Sequence, residues 1–227
     1  FVDHAPEMLK FVEAHSPTRF NPNREPDPYA ELPGGMAKGR NISAAPIRIG
    51  QLGPWRDKIR HPTTDVRLSY EEIVDTSLFA SPKKRVVRFL PRLIWRKITG
   101  AHTRGKALIV GLLKGCLDHG VEIWPETSAV RLLKGDGRVT GLEVERAGRS
   151  VTIEATKGLI LASGGFEWNK AMMAEHFPGP VEWTASPRTN TGDGQRMAAE
   201  IGARLDHMDQ ALVMGVTPVM YEGQIHG

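Results

Sequence analysis

The sequence predicts an α/β fold in which a parallel sheet is backed by helices and interrupted by a β-hairpin excursion. Three observations carry this. Residues 105–119 place Leu108, Ile109, Leu112, Leu113 and Cys116 at helical spacing and stop at Gly120, a residue suited to a helix C-cap. Residues 139–145 and 151–155 alternate apolar and polar side chains on either side of Arg146-Ala147-Gly148-Arg149, which is hairpin patterning. Residues 158–162 are continuously apolar, as in a parallel strand buried on both faces, and run into Ser163-Gly164-Gly165.

The remaining elements follow in order. Residues 3–15 read as a helix: Asp3 or His4 caps it, Pro6 suits its first turn, and Met8, Leu9, Phe11 and Val12 form an apolar face. His15-Ser16-Pro17 ends it, because the residue before a proline avoids helical geometry. Residues 21–65 are rich in Pro, Gly and Asn, with turn signals at Pro33-Gly34-Gly35 and Leu52-Gly53-Pro54. A stretch of that length is expected to be a functional excursion with little regular structure. A short helix is expected over 70–79, with Ser69 as cap and Glu72 three residues on, the capping-box spacing. Residues 121–124 and 129–133 read as strands, Gly135-Asp136-Gly137 as a turn, and 194–202 as a last helix. Residues 213–221 look like strand or core, and there is no internal repeat.

Of the 227 residues, 40% are hydrophobic and 25% charged, which supports a packed core of one domain or a domain and a half. The formal charge is only +4 although the calculated pI is 9.3, a balance that gives no argument for nucleic acid. The positive charge is nonetheless concentrated. No Asp or Glu falls between Asp75 and Asp118, while Lys83, Lys84, Arg85, Arg88, Arg92, Arg96, Lys97, Arg104, Lys106 and Lys114 all do. Apolar residues from Val86 to Ile98 are interleaved. Residues 83–97 therefore read either as a solvated face packed through its apolar side or as a peripheral membrane contact. Pro82 and Pro91 are expected to interrupt a continuous helix there. Cys116, the single cysteine, reads as a small buried hydrophobe, and one cysteine points to a reducing compartment. No run has the length of a membrane-spanning helix, no signal peptide is evident, and the histidines show no metal-ligand spacing. The expected location is cytoplasmic, with membrane association as the further option.

Two short constellations bear on chemistry. A strand ending in Ala162-Ser163-Gly164-Gly165 brings bare backbone to a sheet edge, where it serves either a tight turn or the close approach of a cofactor. Asn190-Thr191-Gly192-Asp193-Gly194 leads into a helix whose N-terminus offers free N–H groups, and Asp193 either meets a ligand or caps that helix.

In their order along the chain these features resemble one family. The matching stretches are 105–121, 127–133, 137–142, Lys157 to Glu167, Thr191-Gly192-Asp193-Gly194 and 201–205. They are similar to the FAD-dependent fumarate reductase/succinate dehydrogenase flavoproteins, in their 3-ketosteroid Δ1-dehydrogenase-like branch. Pro26-Asp27-Pro28-Tyr29, residues 31–35 and Gly39-Arg40 lean toward the steroid branch. The resemblance implies an internal fragment of an enzyme that transfers a hydride between FAD and a carbonyl-activated carbon, with a 3-ketosteroid as favoured substrate. It implies that residues 1–190 are the middle of a Rossmann-like FAD-binding domain and that 191–227 open a substrate-capping domain. It further implies that Ala129 and Val130 meet the adenine through backbone, that Ala162, Ser163, Gly164, Gly165 and Asp193 contact FAD, and that Tyr29 assists at the ketone. The family's GxGxxG fingerprint is expected before Phe1 and the rest of the substrate domain after Gly227. Residues 209–213 lack the histidine usual in dicarboxylate-acting members, which leans toward an apolar ketone. A fumarate/succinate reductase and a non-catalytic or membrane-peripheral module are the alternatives.

Overall fold

A computed structural model describes residues 2–25, 27, 30–39, 41–63, 65–76, 82–177, 179–181, 183–211 and 218–226. The fold is mixed α/β, in two compact units, Phe1–Glu122 and Ile123–Gly227.

In the first unit, α1 (Ala5–His15) carries Pro6 in its first turn, and the Ser16 hydroxyl closes its end by donating to the Val12 carbonyl at 2.7 Å. β1 (Phe20–Pro22) pairs antiparallel with β2 (Ile42–Ala44), and a 3-10 run follows over Ile49–Lys58. The 21–65 stretch is thus more regular than its composition indicates, because its Pro and Gly residues bend short elements rather than dissolving them. β3 (Ile47–Arg48) pairs with a two-residue strand, β4 (Ala101–His102), that leads into α4 (Arg104–Asp118).

Helix α4 is the axis of this unit. Its Ala107 and Val110 are buried with Ala44, Ile47 and Leu52, the spacing of three placing both on one face. Leu108, Leu113 and Leu117 pack on the margin of the same cluster. Gly111 and Gly115 face the chain leaving α1: a Cβ on Gly115 would stand 2.7 Å from the Ser16 Cβ, and one on Gly111 would strike Thr18. The helix ends as predicted at Gly120, with φ at 71°. The Val121 N–H reaches the Cys116 carbonyl at 3.0 Å and the Gly120 N–H reaches the Leu117 carbonyl at 3.2 Å, a Schellman motif. That fold-back removes residues 121–124 from any strand, contrary to the sequence expectation. Cys116 is exposed rather than buried, since it lies on the side of α4 away from Ala107 and Val110.

α2 (Tyr70–Thr76) begins with the predicted capping box. The Ser69 N–H donates to Glu72 Oε2 at 2.8 Å, and the Glu72 N–H donates to Ser69 Oγ at 3.3 Å. The same carboxylate receives Arg96 Nη1 at 2.6 Å and Arg92 Nη1 at 2.5 Å from α3 (Pro82–Thr99). α3 runs unbroken through Pro91, so the expected interruption does not occur. Pro82 opens the helix, where a missing N–H costs nothing, and Pro91 removes one internal bond from a helix held by this ionic anchor and by buried Phe89.

The second unit is built on an antiparallel meander of β5 (Thr127–Gly135), β6 (Arg138–Arg146) and β7 (Arg149–Glu154). Asp136-Gly137 and Ala147-Gly148 take positive φ at both turn positions, which matches the twist of tight hairpins. The hairpin excursion is therefore present and gains a third strand, with Leu132 and Val144 buried. The apolar run 158–162 is not a strand: it has no ladder partner among the described residues, and Ile160 is 91% exposed. Every strand pair among the described residues is antiparallel, so the expected parallel sheet is not formed within them. A doubly buried strand needs neighbours on both edges, and the described residues supply neither. α5 (Lys170–His176) is capped by Asn169, whose Oδ1 accepts the Met172 N–H at 3.1 Å. α6 (Asp193–Glu200) follows, and β8 (Val219–Tyr221) pairs with β9 (Gln224–His226). Among the described residues no helix is long and apolar enough to cross a membrane, and no cluster of metal-ligating side chains is found.

Candidate cofactor-binding site

In the second unit the end of the apolar run closes onto the glycine-rich turn before α6. The Gly192 N–H donates to the Gly165 carbonyl at 3.0 Å, and Gln195 Nε2 donates to the Gly164 carbonyl at 3.1 Å. The contact is too close for side chains. A Cβ on Gly194 would strike Ser163 Oγ, one on Gly164 would strike the Asn190 amide, and one on Gly192 would stand 2.9 Å from the Phe166 Cβ. Gly164 and Gly192 also take φ of 84° and 80°, the left-handed region that glycine enters freely. Four predicted residues, Ser163, Gly164, Gly165 and Asp193, are thus gathered by backbone packing rather than by side-chain chemistry.

Asp193 occupies the first position of α6, and Gly192 is the cap, so the capping option for Asp193 falls away. Its Oδ2 accepts the Thr191 hydroxyl at 2.7 Å, and Oδ1 lies 3.6 Å from Arg196 Nη2. Ala162, Ser163 and Gly164 are exposed, leaving bare backbone on the outer side of the junction. Beside it, Gln195 Oε1 is a buried acceptor with no hydrogen-bond partner among the described residues. Asn190 and Gln195 were not among the site residues read from sequence. An amide in a first helical turn is an ordinary residue until its partner is known.

Ala129 and Val130 lie on β5 at a β-bulge. Ala129 faces Val144 and Arg131 faces Glu143, so Val130 has no facing residue on β6. A bulged residue leaves its peptide groups out of the ladder, and Val130 is exposed. α6 packs beside β5, with Lys134 Nζ donating to the Ile201 carbonyl at 2.9 Å. Tyr29 lies outside the described residues.

The residues present fit a dinucleotide. Exposed backbone at 162–164, unladdered backbone at 130 and an unpartnered acceptor at Gln195 are features that the ribose hydroxyls and adenine edge of FAD can satisfy.

The first unit holds a hollow of about 770 Å³, walled by Phe20, Ile42 and Leu108. Its polar groups include Tyr70, whose hydroxyl donates to Glu25 Oε2 at 2.8 Å. That bond, with burial behind it, raises the Tyr70 pKa above the ordinary phenol value.

Comparison with known proteins identifies the family. The family model described as FAD binding domain matches residues 1–223. The 3-oxosteroid 1-dehydrogenase of Mycolicibacterium smegmatis is 34% identical over 93% of this chain. The 4-oxocyclohexanecarboxylate 2-dehydrogenase of Sinomonas cyclohexanicum is 31% identical over 89% of it. The crystal structure of 3-ketosteroid delta1-dehydrogenase from Sterolibacterium denitrificans, in complex with 1,4-androstadiene-3,17-dione, superposes with a TM-score of 0.80 at 30% identity over 92% of this chain. The chain spans 40% and 35% of the two curated relatives and 41% of the solved chain.

Proposed function

The chain belongs to the FAD binding domain family, and we propose that it acts as part of an FAD-dependent dehydrogenase that desaturates a ring ketone, with a 3-ketosteroid as favoured substrate. The observation that carries the proposal is the agreement of sequence and fold with ketosteroid dehydrogenases along nearly the whole chain. The two curated relatives are named for different substrates, and what those substrates share is a six-membered ring ketone. The hollow of the first unit supports the same class through its apolar walls, Phe20, Ile42 and Leu108, which suit ring carbons; its charged groups, Glu25 and Arg104, are of opposite sign.

Bound FAD would supply the two-electron acceptor for a hydride leaving one ring carbon, and a basic group of the protein would take the proton from the carbon beside it, so that a double bond is left between them. We assign the cofactor contacts to the backbone at Ala129 and Val130, to Ala162, Ser163, Gly164 and Gly165, and to Asp193. Tyr29 is assigned to polarise the ketone or to move the second proton. Residues 1–190 are assigned to the FAD-binding domain and 191–227 to the start of a substrate-capping domain. A cytoplasmic enzyme working at a membrane surface, which it meets through residues 83–97, completes the reading.

The test uses the full-length gene product with an artificial electron acceptor. A yellow protein that converts a 3-ketosteroid to its conjugated dienone and leaves succinate untouched is expected. Tyr29→Phe should lower kcat about 100-fold, the scale of a lost acid–base group, and leave the flavin bound. Succinate oxidation would establish the dicarboxylate alternative, and a colourless, inactive protein a non-catalytic module.

A further inference from the structure

We infer that Arg188 is a positioning residue, which holds the β8–β9 hairpin in place beside the loop that carries the glycine turn of the cofactor site. That loop is clasped from α5's leading end. The Trp168 N–H donates to the Asn190 carbonyl at 3.0 Å, and Trp168 Nε1 donates to the Ser186 carbonyl at 2.9 Å. Asn169 Nδ2 donates to the Thr191 carbonyl at 2.9 Å. Three donors from two consecutive residues thus fix the backbone just ahead of Gly192 and Asp193. Arg188 lies between these anchors, its guanidinium 5.7 Å from the centre of the Trp168 ring.

The same guanidinium reaches the hairpin. Arg188 Nη2 donates to the Tyr221 carbonyl at 2.8 Å, a partly buried bond across 33 residues of chain. A charged donor makes a stronger bond than a neutral one. Arg188 Nε is buried with no partner among the described residues, so the Tyr221 carbonyl and the Trp168 ring are what fix the group. What it holds is an apolar face. Glu222 and Gly223 turn β8 into β9 with φ of 49° and 77°, and Met220 stands opposite Ile225. Both side chains are exposed, at 69% and 52%, while Val219 and Tyr221 on the other face are half-buried. Two opposed apolar side chains in solvent suit the ring carbons of an apolar ketone. Arg188 thereby keeps this face in fixed register with the turn assigned to FAD, while touching neither cofactor nor substrate itself. The inference deepens the dehydrogenase reading and rests on it for what the hairpin meets.

Steady-state kinetics and amide exchange of the full-length protein test it. Arg188→Met keeps an apolar stem beside Trp168 and removes the donors. It should raise KM for a 3-ketosteroid about tenfold, the size of one hydrogen bond, with kcat and flavin content held. Exchange at 219–226 should quicken while exchange at 190–194 stays unchanged. Arg188→Lys, which restores a charged donor, should recover most of the KM. Met220→Ser/Ile225→Ser should raise KM to a similar degree without altering exchange, because both side chains are exposed and the backbone bonds remain. An unchanged KM in Arg188→Met overturns the inference, as does a joint fall of kcat, flavin content and Tm without rescue by lysine. If Arg188→Met does not fold, the double variant decides, and a normal KM there overturns the inference. A wild type that leaves ketosteroids untouched refutes the dehydrogenase reading instead. Exchange at 219–226 then still shows whether Arg188 holds the hairpin, and unchanged exchange overturns that too.

Discussion

At the scale of single residues, the glycines around Ser163 serve the chain's own packing before they serve any ligand. Gly194→Ala should cost about 1–3 kcal/mol through overpacking against Ser163 Oγ, and adding Ser163→Ala should recover part of it. Thermal melts of the two single variants and the pair measure that coupling. Val130 allows the complementary experiment. Because it sits in a bulge, Val130→Pro should leave the meander folded by circular dichroism. If its N–H meets the adenine, FAD affinity should fall about tenfold, the size of one hydrogen bond. Equal affinity for wild type and variant would remove Val130 from the cofactor contacts. The sequence brought out both glycine runs, since a strand-end double glycine and a later Thr-Gly-Asp-Gly are local signals, but not their packing on one another. It hid Asn190 and Gln195, because side-chain amides reveal a role only once the backbone they reach is known.

At the scale of elements, the capping box was legible because it is written within four residues, Ser69 to Glu72. The second half of the same device was not: Arg96 reaches Glu72 from 24 residues away, and helical periodicity carries no such information. Burial alone would raise the Glu72 pKa, but bonds from Arg96, the Ser69 N–H and Arg92 outweigh it and hold the carboxyl below its ordinary range. A carboxylate with a lowered folded pKa stabilises the fold fully above its unfolded value. The contribution is lost as pH falls below about 4.3 toward the folded pKa. Glu72→Gln should therefore lower stability by roughly 3 kcal/mol at neutral pH, as one broken half of a buried pair. It should also flatten the dependence of Tm on pH in the acid range. A variant whose Tm still fell as steeply as wild type below pH 4 would place the acid sensitivity elsewhere. The same anchor explains why α3 tolerates Pro91, which sequence reasoning weighed as a break.

At the scale of the molecule, the fold class and hairpin excursion were readable, while the predicted parallel strand at 158–162 was not realised among the described residues. The signal was sound as chemistry, a run too apolar for solvent, but a strand exists only with a neighbour. Ile160 and Leu161 stand exposed, next to the junction that gathers Ser163 and Gly164. Expressed alone, residues 1–227 should self-associate through this segment, visible as a larger mass by light scattering on a sizing column. Ile160→Lys should shift that isolated chain toward monomer. The full-length protein should be unaffected by dilution, and a monodisperse 1–227 would refute the expectation.

The meander of β5, β6 and β7 has a consequence in time. Its strands are joined by two-residue turns, so all its pairings are local, whereas the 163–165 junction must wait for residues 190–195. Hairpins of this kind close in about 1–10 μs, and local contacts form ahead of distant ones. The amides of 127–154 should gain exchange protection first, and the bulge at Val130 would then be in place before the glycine turn packs against residues 163–165.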